Sequence, residues 1–109
     1  MQKIKIIGLI CFFFLSCKKE TKHIPTCHDE TPTYITEIAP ILEGKCVECH
    51  GYTSPNGVYN SYSSYQPVLD NGKFEAAVLI NQSMPQAAPL ADAELDLLKC
   101  WIDNGYPLE

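Results

Sequence analysis

Two thiols and an imidazole fall within five residues of this chain, in the string Cys46-Val47-Glu48-Cys49-His50, and Gly51 follows. On a turn of helix, cysteines three residues apart lie on the same side. Both sulfurs can then add to the vinyl groups along one edge of a porphyrin. His50, next in the chain, is directed beneath the macrocycle, where its imidazole can bind iron. The CxxCH spacing is the signature of that covalent attachment. It predicts one covalent haem c, with thioether links from Cys46 and Cys49 and His50 as proximal iron ligand. Other chemistries use the same residue types. A thioredoxin-like CxxC would sit in a βαβ pattern, and none is readable here. A zinc site could combine Cys46, Cys49 and His50 with Cys27 or His28, although structural zinc motifs usually show a second well-spaced pair. A chance pentapeptide is the third alternative, and it leaves the features described next unexplained.

Met84 stands in Ser83-Met84-Pro85, in a segment whose prolines (Pro85, Pro89) argue for a loop. A thioether does little for loop solubility but is a good axial ligand, and His/Met ligation raises a haem's reduction potential. Met84 is therefore the expected distal ligand, with Pro85 stiffening the strap that holds it. A methionine filling a core gap is the ordinary alternative, and His23 and His28 are the fallback ligands.

Residues 1–16 join a basic start (Lys3, Lys5) to an apolar run from Ile6 to Leu15. This pattern predicts an export signal, with a run too short for a spanning helix. Phe14-Leu15-Ser16-Cys17 followed by Lys18-Lys19-Glu20 resembles the lipobox of bacterial lipoproteins, in the looser form familiar in Bacteroidetes. By that resemblance Cys17 is acylated and anchors the chain to a membrane; an ordinary secretory signal is the alternative. Export also puts Cys27 and Cys100 in an oxidising space, where a bridge between them is the natural pairing. Two buried free thiols are the alternative. A Cys27–Cys100 bridge would close a loop of about 73 residues, for roughly 4 kcal/mol of stabilisation in the chain-entropy model.

The elements that must hold these groups are helices. Residues 17–32 read as a lipidated N-terminus and polar tether, and residues 33–109 as one domain. Thr33 can cap a helix whose apolar positions Ile35, Ile38, Ile41 and Leu42 lead into Cys46, with a kink or fresh start at Pro40. Short helices are expected at Ser61 to Gln66 and Lys73 to Ile80. The clearest helix carries Asp92 and Glu94 near its start and the stripe Leu95, Leu98, Ile102, which Trp101 extends; Asn104-Gly105 and Pro107 stop it. With no arginine present, tyrosine hydroxyls, Asn or Gln amides and Lys73 are left to solvate haem propionates. The chain has 13 acidic residues against 8 lysines, and losing residues 1–16 removes two of those lysines. Such a surface argues against nucleic acid and would steer the protein toward a basic patch on a partner.

Pro40-Ile41-Leu42, Cys46-Val47-Glu48-Cys49-His50-Gly51, Met84-Pro85, Pro89-Leu90, Glu94-Leu95 and Trp101-Ile102-Asp103-Asn104-Gly105-Tyr106-Pro107 together resemble the small class I cytochrome c domains of bacterial exported proteins, including the planctomycete-type group. The resemblance implies an all-α fold in which N- and C-terminal helices cross over a covalently bound haem, with His50 proximal and Met84 distal. Cys100 in the last helix, matched by Cys27, departs from that pattern. The implied function is non-enzymatic: a lipid-anchored carrier of single electrons in the bacterial cell envelope, facing the periplasm or the surface and docking on a membrane reductase or oxidase. A haem sensor or catalyst with an open sixth site, and a zinc-binding surface module, are the competing functions.

Overall fold

Pro40 has no N–H to give to a helix, and its ring crowds the carbonyl four residues back. In the computed structural model, which describes residues 21–86 and 89–109, the chain meets this by opening its first helix wide. Tyr34–Ile38 is a π-helical segment that runs directly into α1, Ala39–Lys45. Ile38 N–H donates five residues back to the Thr33 carbonyl, at 3.2 Å, and Ala39 N–H to that of Tyr34. Pro40 then falls in the first turn of α1, where its missing donor costs little. The wider winding also sets which residues face inward. Tyr34, Ile38 and Leu42, four apart, are buried, whereas Ile35, expected on the apolar face, is exposed. Thr33 sits where a cap belongs, but its hydroxyl makes no cap bond. Instead the Glu37 carboxylate accepts the Thr33 N–H at 2.8 Å.

Three further elements follow α2, Val47–His50: α3, Tyr62–Asp70; a second π-helical segment, Glu75–Ile80; and α4, Asp92–Asp103. Among the described residues there is no strand, and the fold they form is all-α. Helix α3 was expected to end before Pro67, yet it continues to Asp70. Burial of Tyr65 and Leu69 on one face outweighs the lost backbone bond. Its start is held by Ser64, whose hydroxyl oxygen accepts the Ser61 N–H at 3.0 Å.

Helix α4 ends as its sequence predicts, and the ending organises the core. Tyr106 N–H reaches the Trp101 carbonyl at 2.8 Å and Gly105 N–H the Ile102 carbonyl at 3.0 Å. With Gly105 at φ +81°, this is a Schellman cap, and the Tyr106 and Trp101 rings supply its apolar contact, centroids 6.0 Å apart. The tail then returns to the first helix. Pro107 and Leu108 carbonyls accept the Tyr34 and Ile35 N–H groups at 2.9 and 3.2 Å, satisfying donors that a helix start leaves orphaned. The first π-helical segment packs on α4. Trp101, fully buried, shares a core with Ile38, Leu42, Tyr65, Phe74 and Leu98.

Residues from Lys22 to Glu30, expected as a tether, lie against the domain. Cys27 and Cys100 form a disulfide with Cα atoms 4.6 Å apart, inside the span such bridges require. On the outer face of α4, one Asp96 oxygen accepts both the Thr26 N–H, at 2.9 Å, and a proton from His23 Nε2, at 2.8 Å. Those bonds, Thr26 first, hold the Asp96 carboxyl below the usual carboxylate range. Asn104 donates to the Glu30 carbonyl at 3.2 Å. The export signal and Cys17 fall outside the described residues. Among those described, no helix is long and apolar enough to cross a membrane.

Candidate functional site

The CxxCH string occupies a single helical turn because α1 delivers it already wound. Cys46 N–H donates to the Leu42 carbonyl at 2.8 Å, and His50 N–H to that of Cys46 at 2.9 Å. Beyond Gly51 the chain reverses through Pro55-Asn56-Gly57 and returns alongside His50, where the Tyr59 N–H donates to the His50 carbonyl at 2.8 Å. The same return sets His50 Nδ1 3.0 Å from the Gly57 carbonyl oxygen. A carbonyl can only accept, so Nδ1 carries the proton and the Nε2 lone pair is left for a ligand. Metal-binding histidines are held in this way, with the second nitrogen fixing tautomer and ring orientation. The Tyr59 ring, 5.0 Å from the imidazole, packs on it at a tilt.

His50 faces a cleft of about 230 Å³ whose wall is mostly apolar. Val68 of α3 and Phe74, Ala77 and Val78 around the second π-helical segment form much of it; Cys46, Tyr59 and Tyr65 form more. Met84 lines the same cleft and is partly exposed, at 38%. Its loop is pinned at Ala77, whose carbonyl accepts the Ser83 N–H at 2.9 Å and the Met84 N–H at 3.3 Å. Asn56 and Lys73 are the cleft's polar side chains apart from His50 and the tyrosines. Tyr65 spends its hydroxyl on the Tyr59 carbonyl, at 3.0 Å. Burial raises the Cys46 thiol above its ordinary value, partly offset by the Tyr65 hydroxyl beside it. Burial, followed by the neighbouring Cys46, likewise raises Tyr65. For Cys46 that direction is opposite to the lowered thiol of a dithiol oxidoreductase.

The fold therefore gathers Cys46, His50 and Met84 around one space. Cys49 is on the same turn but exposed, and it does not line the cleft. His23 and His28, the fallback ligands, face Asp96 instead, with nitrogens 2.8 and 3.8 Å from its oxygens. Among the described residues, no three or more His, Cys, Asp or Glu side chains are grouped so as to hold a metal ion.

Gly57, the packing of Tyr59 on His50 and the apolar wall of Val68, Phe74, Ala77 and Val78 escaped the sequence reading. For Gly57 the available signal was its place in the turn after CxxCH, which says nothing of where its carbonyl points. Gly57 has φ +105°, and a Cβ there would lie 2.7 Å from the Tyr59 hydroxyl oxygen. Gly57→Ala is therefore expected to lose about 1–2 kcal/mol to left-handed backbone strain, plus the cost of displacing Tyr59. Gly105→Ala, at φ +81° with nothing within 4 Å of its Cβ, carries strain without collision. Urea unfolding of the two variants should rank Gly57→Ala as clearly the less stable; equal midpoints would mean that Tyr59 yields freely. No protein-family model, curated protein or solved structure matches the chain.

Proposed function

We propose that this chain is an exported class I c-type cytochrome that carries single electrons in the bacterial cell envelope, anchored to a membrane through an acylated Cys17. The observation that carries the reading is the meeting of Cys46, His50 and Met84 at one largely apolar cleft. The donor set fits haem. A thiol, an imidazole with Nε2 free and a thioether line the same space, the combination used for covalent attachment and His/Met ligation. Cys46 and Cys49 would hold the macrocycle edge, His50 and Met84 the iron, and Lys73 and Asn56 would meet the propionates. The packing of the first π-helical segment on α4 accords with helices crossing over a haem edge. Haem held there supplies a one-electron couple.

The protein's own contribution is to orient, enclose and tune. The Gly57 carbonyl fixes the imidazole, the wall of Val68, Phe74 and Val78 excludes water, and the Ala77 carbonyl holds the Met84 loop. Among the described lining residues there is neither a carboxylate nor a second histidine. The acidic surface would bring the domain to a basic docking patch on a membrane reductase or oxidase.

Expression with the cytochrome c maturation apparatus, followed by oxidised and reduced spectra, tests this reading. The ferric protein is expected to show the far-red band of methionine ligation. Met84→Ala should abolish the band, lower the reduction potential and open the iron to external ligands. An unchanged spectrum would remove Met84 from the site.

A further inference from the structure

The loop that carries Met84 is tied on its far side to the extended N-terminal residues, which the electron-carrier reading does not use. Gln82, two residues before Met84, donates from Nε2 to the His23 carbonyl at 2.6 Å, and Lys22 Nζ donates to the Asn81 carbonyl. Gln82 holds φ +49°, a left-handed conformation that a non-glycine residue adopts only when its surroundings compensate. Among the hydrogen bonds of the described residues, the bond to the His23 carbonyl is the one that ties Gln82 outside its own segment, and Lys22 holds the adjacent Asn81. These residues are in turn fixed to α4 by Asp96, which binds both His23 and Thr26, and by the disulfide at Cys27. A continuous path thus runs from α4 through the extended residues and Gln82 to the loop.

We propose that residues 22–27 form a strap that positions Met84 through Gln82, so that closure of the sixth iron site depends on the strap's attachment to α4. The proposal rests on Met84 being the distal ligand. The Ala77 carbonyl holds the loop against the second π-helical segment, and the strap supplies the opposing tie. Gln82 and Asp96 are positioning residues; neither lines the cleft.

The test compares matured, haem-loaded wild type with Gln82→Asn and Asp96→Ala. Asparagine tolerates the left-handed backbone, but its side chain is one methylene too short to reach the His23 carbonyl. Asp96→Ala frees His23 and Thr26 at the surface of α4. In both variants the far-red band should weaken, the Ser83 and Met84 amides should exchange faster, and imidazole should bind the iron about fivefold more tightly, the factor expected when one hydrogen bond of about 1 kcal/mol no longer favours the closed loop. If wild type shows the band and both variants match it in band, exchange and imidazole affinity, the strap has no positioning role. An effect in one variant alone overturns the path through Gln82. A wild-type protein with covalent haem but no far-red band overturns the Met84 reading itself and the strap's role with it.

Discussion

A chain with both Cys46 and Cys49 replaced by alanine is expected to leave the export and maturation pathway without covalent haem, while wild type keeps its pigment through acidified organic solvent. In the proposed site, removing both sulfurs would leave His50 and Met84 to hold the iron, and denaturing extraction would break both ties. The single variants should differ from the double, since each would retain one of the two proposed thioethers. They should also differ from each other, because Cys46 lines the cleft and Cys49 is exposed. A haem tethered at Cys46 alone stays seated against Tyr65 and Val68, whereas one tethered at Cys49 alone is held from the solvent side. Haem staining on a denaturing gel, with the intact mass of each chain, reads the outcome directly. A wild-type chain that is colourless after proper maturation would falsify the haem reading.

The second large effect is on stability. Trp101→Ala is expected to cost about 3–5 kcal/mol, the range for removing a buried tryptophan, out of a total that is about 5–15 kcal/mol for a domain. Trp101 is fully buried and joins three parts of the fold. Its ring packs against Tyr34, centroids 6.1 Å apart, and Tyr106, at 6.0 Å. Its Nε1–H donates to the Pro107 carbonyl at 3.1 Å, the same carbonyl that accepts the Tyr34 N–H. Truncation therefore opens a cavity, loosens the α4 cap and weakens the return of the tail to the first helix. Trp101→Phe keeps a ring but loses the donor, and should cost less. Urea unfolding with the Cys27–Cys100 bridge intact in every protein measures both; a loss below about 1 kcal/mol for the alanine variant would mean that the core closes around the gap.

Much of this architecture was legible in the residues because it is written in local chemistry. The start, stripe and stop of α4 follow from Asp92, Glu94, the leucines and Gly105, whose preferences act within a turn or two of the chain. The same holds for the Cys46 to His50 turn. Errors arose where tertiary burial overrode local preference. Pro67 does not end α3, because Tyr65 and Leu69 are buried on either side of it. Ile35 faces solvent, because the π winding before Pro40 gives the inward position to Tyr34. Within residues 17–32, read as a polar tether, His23, Thr26 and Cys27 meet α4, because polar residues pack as well as float once Asp96 and Cys100 offer partners.

The sequence alone determined the reactive groups and their local order: two thiols and an imidazole on one turn, a methionine before a proline, and helices ahead of and behind them. Spacing dictates such features, since the helical repeat carries them without help from distant residues. Only the tertiary structure decided that Met84 shares a cleft with His50, that the Gly57 carbonyl leaves Nε2 free, and that the N-terminal residues reach the Met84 loop. Each joins chain segments far apart in sequence, and what brings them together is the burial of a shared core around Trp101, to which no short pattern of residues is a guide.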